Sequence, residues 1–344
     1  MVNDFLLRLC SYHQPRRVRV IENVCQNHPT VANLFWAKQY SLINWLGCRR
    51  NLDRVEFNDE LAALEKAGLI SLHDNQVQLT AAGVSYQEEN PIYEPHFFDW
   101  FWLANTRRVE QRFLLGIQVV SELAYHNWRY VPLHVPYSEQ GAVKAWFHRY
   151  GSAQLVHQVA RELDLLGTAF EGEDEQLVTA FFASLVGHDG SGQTIAQVSQ
   201  QLSLNIGETM IINHDVLLGI SAFAKNTTGP IARLLQPLLT SSPLSTSCWQ
   251  TINMLRRGRP LEEIARHRHL KLGTIREHIL TAAILVPRAY QWGKLLPPQD
   301  EEYLKHKYEG PVASWQFVSW GSNENRDFFY FRLYQIIQGS EENG

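Results

Sequence analysis

Between residues 252 and 283 one compact pattern, Ile264-Ala265-x-x-Arg268-x-Leu270-x-x-x-Thr274-Ile275-x-x-His278-Ile279, restricts the chain to a tri-helical helix-turn-helix. Upstream, Trp249, Ile252 and Leu255 lie at helical spacing, and Gly258 ends that run. Pro260 stands where a first helical residue tolerates a missing N–H, so a second helix is predicted from about residue 260. Glu262 and Glu263 fall in its first turn, where the macrodipole favours carboxylates, while Leu261, Ile264 and Ala265 form its inward face. After a turn through His267 to Lys271, Thr274 and Glu277 are predicted to form a capping box that opens a third helix. Ile275 and Ile279 point into the small core. Lys271, Gly273, Thr274, Arg276 and Glu277 then occupy the exposed entrance, the part of such a helix that meets base edges in the major groove. Arg276 is the expected base reader.

Charge agrees with this placement. From Leu255 to His278 there are seven Lys/Arg against three Glu, in a chain whose formal net charge is −4. Such a local reversal of sign is the footprint of phosphate neutralisation, and Arg266, Arg268, Lys271 and Arg276 are the expected phosphate contacts.

The motif Ile-Ala-x-x-Arg-x-Leu-x-x-x-Thr-Ile-x-x-His-Ile is similar to the helix-turn-helix domain at the C-terminus of many RecQ-type helicases and in stand-alone YpbB-like proteins of low-GC Gram-positive bacteria. With no helicase core, the chain resembles the second group. Trp315-Gln-Phe followed by Asp327-Phe-Phe-Tyr-Phe-Arg-Leu-Tyr-Gln resembles the aromatic ending of YpbB-like chains. The resemblance implies a winged-helix-like N-terminal part, a helical middle, this C-terminal domain, and a role as an accessory factor to a RecQ-type helicase. Its specific part covers residues 250–284 and, less sharply, 310–337; over the first 240 residues it is one of layout. His269 stands where such turns usually carry Gly.

At 344 residues, 45% hydrophobic and 19% charged, the chain is expected to form two or three globular domains. No run approaches 18 consecutive apolar residues, and Met-Val-Asn-Asp lacks the basic-then-apolar layout of a secretory signal. A cytoplasmic, nucleoid-associated protein without membrane contact is expected. Cys10, Cys25, Cys48 and Cys248 are scattered without a C-x-x-C pair, which argues against a zinc site or a disulfide framework and for buried thiols.

Residues 57–83 predict a helix and a hairpin. Asn58 is a candidate cap, Leu61 and Leu64 face inward, and Gly68 can end the helix in the left-handed region. Ile70 and Leu72, then Val77 and Leu79, alternate with polar residues about Asp74-Asn75, the signature of a short antiparallel pair. This is the wing of a winged helix, with Pro15 to Cys25 and Thr30 to Leu46 supplying further helices. Arg49, Arg50 and Arg54 form a candidate second DNA contact.

A linker at Glu88 to Pro95 leads to Phe97, Phe98, Trp100, Phe101 and Trp102, expected to begin an aromatic helical region that packs in a core or docks a partner. Further helices are predicted at about 107–127, 139–150 and 153–166, followed by an acidic turn at Glu171 to Glu175. Thr194 to Val198 and Asn205-x-x-Glu208 suggest another helix pair, without Lys or Arg. Thr227 to Ser247, rich in Thr, Ser and Pro, is the expected hinge to the last domain.

No phosphate-binding loop, dinucleotide turn, His-Glu-x-x-His or nucleophile elbow occurs in the sequence. The expectation is therefore a mainly α protein with an N-terminal winged helix (residues 1–90), a helical, partner-docking middle (91–240) and a C-terminal helix-turn-helix with an aromatic tail (241–344). It is expected to be non-enzymatic, with no catalytic residues, cofactor, metal or small-molecule substrate. The partners expected are duplex or junction DNA and a RecQ-type helicase, in repair or recombination. The competing expectation is a transcriptional regulator that binds a specific operator.

Overall fold

The computed structural model describes residues 4–90 and 92–341, and these are mainly α-helical. The helices are α1 (Val18–Gln26), α2 (Val31–Gln39), α3 (Arg54–Lys66), α4 (Ala81–Glu89), α5 (Thr106–Ala124), α6 (Tyr137–Tyr150), α7 (Ala153–Glu173), α8 (Glu175–Ser184), α9 (Ile195–Leu202), α10 (Ile206–Asn226), α11 (Pro230–Leu235), α12 (Thr246–Arg256), α13 (Leu261–Arg268), α14 (Leu272–Leu285), α15 (Pro298–Lys307) and α16 (Glu324–Glu341). Three short strands, β1 (Arg16–Arg17), β2 (Ile70–His73) and β3 (Gln76–Leu79), form one antiparallel sheet in the order β1-β3-β2. No helix among the described residues is long and apolar enough to cross a membrane.

The chain divides into two compact units, one from residues 1–27 and 44–241 and the other from 28–43 and 242–344. The expected division at residue 90 is thus absent, since the sheet and its flanking helices share a unit with the helical middle. Residues 28–43 join the C-terminal unit instead of the winged-helix core expected of Leu34 and Phe35.

In the N-terminal unit α3 begins four residues before Asn58. Asp53 is the cap and accepts from the Glu56 amide at 2.9 Å. The hairpin turns through Asp74 and Asn75, both at positive φ (49° and 61°), as a two-residue loop of this twist demands. Behind it, a Cβ on Gly83 would fall 2.0 Å from the Leu69 carbonyl oxygen, so α4 can begin against the strand only with glycine there.

The aromatic stretch expected to start a helix makes one 3-10 turn, Phe98–Trp100, and α5 starts later, behind the Asn105 cap. The reason lies in the buried Asp215 of α10. Its carboxylate accepts from the Tyr93 hydroxyl (2.5 Å) and from the amides of His96 (2.7 Å) and Phe97 (2.8 Å), tying residues 93–97 to α10 outside any helix. Trp100 and Trp102 flank the Lys225 ammonium at 5.3 and 4.8 Å. α10 packs against α5, α7, α8, α9 and α11 and forms the spine of this unit. α7 runs on to Glu173, so the expected acidic turn is helix that ends at Asp174, which in turn caps α8. α11 lies inside the stretch expected to hinge, and the longer segment of the second unit begins at Ser242.

In the C-terminal unit α14 packs against α2, α12, α13 and α16. Phe329, Phe331, Leu333, Tyr334 and Ile336 of α16 are buried, and Trp315 stacks on Tyr334 with ring centres 5.7 Å apart. Asp327, fully buried, accepts from the Ser319 hydroxyl (2.8 Å) and from the amides of Trp320 (2.9 Å) and Gly321 (2.7 Å), fastening the segment before α16 to its first turn. Desolvation is the largest single effect and raises its pKa, but these bonds and one from Arg326 together outweigh it and hold the carboxyl below the usual carboxylate range.

Candidate nucleic-acid interface

α12, α13 and α14 form the expected trio. Gly258 closes α12 at φ +77°, Pro260 is the residue before α13, and Ile264 and Ala265 are buried. His269 takes φ 53° and ψ 38°, so it occupies in the turn the left-handed conformation that glycine usually supplies. Lys271 follows in extended conformation and α14 starts at Leu272. Thr274 is therefore already the third helical residue, and the predicted Thr274–Glu277 capping box does not form. Lys271 precedes the helix with no side-chain cap, leaving the first amides of α14 for water or a ligand.

Lys271, Gly273 and Glu277 are exposed at the opening of α14 and Thr274 is half-buried. Arg276 lies away from Thr274. Two residues beyond Thr274, it is turned about 200° away round the helix. Its guanidinium lies 5.5 Å from the Phe329 ring centre, and its Nε is buried with no hydrogen-bond partner among the described residues. It faces a cleft of about 620 Å³ between α14, the start of α2 (Thr30 to Ala32) and the start of α16 (Asn323, Phe328, Arg332). The expected base reader thus lines a groove that two residues of the entrance, Gly273 and Glu277, also line.

Arg268 is a correction of a different kind. Its guanidinium donates to the Ser247 carbonyl (2.7 Å), the Ser247 hydroxyl (2.8 Å), the Gln250 amide oxygen (3.0 Å) and the Thr251 hydroxyl. It ties the end of α13 to α12 and is spent on the fold. Thr251 also meets His278 Nδ1 at 2.8 Å, so His278 makes the buried hydrogen bond that its position on α14 suggested. Burial, and next the Arg268 charge, lower its pKa, which keeps the imidazole neutral.

Of the seven cations between Leu255 and His278, Arg256 bonds the Ala289 carbonyl at 2.8 Å and Arg259 pairs with Glu263 at 3.3 Å. Arg257, Arg266 and Lys271 are exposed and make no ion pair or hydrogen bond through their side chains among the described residues. They are the open cations of the trio.

The three arginines of the second expected contact are placed differently from one another. Arg49 is buried in ion pairs with Glu60 (2.8 Å) and Glu56 (2.5 Å), which lie one turn apart on α3 and reach it together. Arg50 is half-buried and lines a cleft that Arg49 and Glu56 also line, and Arg54 stands 3.5 Å from Glu22. The three arginines share no phosphate-facing surface. The exposed side of α3 adds carboxylates at Glu56, Asp59 and Glu65.

Sequence reasoning missed α2 as a wall of the cleft beside α14. Its apolar residues run Val31-Ala-x-Leu-Phe-Trp-Ala round most of the helix, a sign of burial that names no partner.

Residues 247–335 match the family model described as a helix-turn-helix domain. The span starts in α12 and ends in α16, so the aromatic helix belongs to the domain together with the trio. Comparisons with curated proteins and with solved structures gave no match.

Proposed function

We propose that the protein is a non-enzymatic DNA-binding adaptor that works beside a RecQ-type helicase in repair or recombination. The observation that carries the DNA part is the opening of α14. Its uncapped amides, with Lys271, Gly273 and Glu277 exposed, lie within a helix-turn-helix domain that also exposes the cations Arg257 and Arg266. Helices of such domains enter the major groove by their first turns, and an uncapped N-terminus receives a phosphate oxygen well. The helicase part rests on the resemblance of residues 250–284 and 310–337 to the domain of RecQ-type helicases and YpbB-like proteins. An adaptor that grips DNA and helicase at once would raise apparent affinity about 10²- to 10⁴-fold by local concentration alone.

The test is fluorescence anisotropy with random duplex, forked and single-stranded DNA over a salt series, beside co-purification with the RecQ-type helicase of the same host. Salt-dependent duplex or fork binding with helicase recovery is the expected result. Tight binding to one duplex sequence alone would make the protein an operator-binding regulator, and salt-insensitive or absent binding would remove DNA from its function.

A further inference from the structure

In the N-terminal unit the loop 47–52, the first turns of α5 and the middle of α10 enclose a cleft of about 330 Å³, at the small end of the range of ligand sites. Its walls carry Arg50, Arg107, Glu110, Asn213 and His214. His214 is only 8% exposed, yet its Nε2 has no hydrogen-bond partner among the described residues. Burial, followed by the nearby Arg50, lowers its pKa to about 3, so the ring is neutral. An orphaned ring nitrogen in a folded interior is costly, and a ligand group at bonding distance removes that cost.

A second orphan lines the same cleft. Arg50 Nε is buried and unpaired, whereas its outer nitrogens lie 3.1 and 3.2 Å from Asn27 when that amide turns its oxygen toward them. Gly47, at φ +84°, lets the guanidinium lie close, since a Cβ there would stand 3.0 Å from Nε. The 19-residue α5 opens on the same space. Asn105 caps the Arg108 amide, and the helix ladder leaves those of Thr106 and Arg107 unused at its positive end. The wall also offers acceptors. Burial raises the pKa of Glu110, against the lowering effects of its hydrogen bond to Asn213 and of the Arg107 charge.

We propose that this cleft binds a small phosphate monoester with a hydroxylated body, the phosphate against Arg50, Arg107 and the opening turn of α5, the hydroxyls toward His214, Asn213 and Glu110. Two guanidinium groups and a long helix's N-terminus suit a dianion, and the amide, carboxyl and imidazole that line the same cleft suit hydroxyls. The site is independent of the DNA reading, because no residue of it belongs to the helix-turn-helix unit.

The experiment is calorimetric titration and thermal melting of the full chain with ribose 5-phosphate, inorganic phosphate and ribose, at ionic strength matched with sodium chloride. Ribose 5-phosphate should bind saturably and raise the melting temperature, inorganic phosphate should bind more weakly, and ribose should not bind. Arg107→Gln, at an exposed position, should weaken ribose 5-phosphate at least about tenfold, the loss of one charge-assisted contact, while the ligand-free melt stays unchanged. Lys271→Ala, on the other unit, should leave the titration as it was. No saturable binding of either phosphate up to about 10 mM, weaker than any dedicated site, would overturn the proposal. Binding indifferent to Arg107→Gln, or inorganic phosphate binding as tightly as the sugar phosphate, would overturn it equally.

Discussion

Arg268→Ala should unfold more than it unbinds. One guanidinium donates to three oxygens at 2.7, 2.8 and 3.0 Å and to the Thr251 hydroxyl, bridging two helices of the trio. Hydrogen bonds from a charged donor contribute about 1.5–3 kcal/mol each when well buried, but these four share one half-exposed group and do not add. A total near 2 kcal/mol is the reasonable figure, equivalent to a drop on the order of 10 °C in the melting of a unit of roughly a hundred residues. Arg268→Lys should recover little of it, because an ammonium cannot span the same fork of acceptors. Measured by anisotropy well below the melt, the salt dependence of DNA binding should be unchanged in Arg268→Ala. Lys271→Ala should do the reverse, keeping the melt and lowering the slope by about one. An Arg268→Ala protein that melts normally and loses one unit of slope would show that the guanidinium leaves its cradle to meet a phosphate, and would refute this assignment.

Arg49→Ala leaves Glu60, whose side chain is 11% exposed, without its partner; a loss of about 3–5 kcal/mol in urea unfolding is expected, with DNA affinity unaffected. Asp215→Asn replaces an acceptor of three bonds with a group that carries one oxygen, and should cost about 1–3 kcal/mol and loosen residues 93–97 in hydrogen exchange. His214 gives a pH signature. The unfolded chain takes up a proton on it near pH 6.5 and the folded ring only near pH 3, so within that window the unfolded state holds more protons. Its contribution therefore falls by about 1.4 kcal/mol for each pH unit below about 6.5. The stability difference between wild type and His214→Gln should shift against the wild type from about pH 7 to about pH 5, and a difference independent of pH would show that the ring is not held neutral by the fold.

How much of this was visible in the residues depends on whether local pattern or distant partners decided the outcome. The trio follows from apolar spacing and two turn residues, Gly258 and His269, and a chain of that pattern has few other choices. The hairpin at 70–79 follows from alternation about Asp74-Asn75. The start of α14 did not follow, because Thr274 has the chemistry of a cap and only the conformations of His269 and Lys271 show that the helix has already begun. Nor did the aromatic stretch at 97–102, whose backbone is directed by a carboxylate more than a hundred residues away. Residues 28–43 show the same limit on a larger scale. Their apolar character predicted burial, while the surface that buries them lies in residues 242–344.

The same distinction bears on how strongly this protein should respond to salt. Read as a count, the segment from Leu255 to His278 offers seven cations, and seven neutralised phosphates on duplex DNA give a slope of log K against log salt of about −6. A phosphate, however, meets only the charge that the fold has not already engaged. Arg268 serves three residues of α12, Arg259 serves Glu263, Arg256 serves a carbonyl, and Arg276 lies over Phe329 in a cleft. Arg257, Arg266 and Lys271 remain, and three contacts give a slope near −3. Titrations of a random duplex between about 50 and 200 mM salt separate the two figures, since affinity falls about 60-fold across that range at the lower slope and about 4,000-fold at the higher. A measured slope near −6 would mean that the ties to Glu263, the Ala289 carbonyl and the helix-turn-helix backbone exchange for phosphate on binding, and the free chain's contacts would then be the wrong guide to the complex.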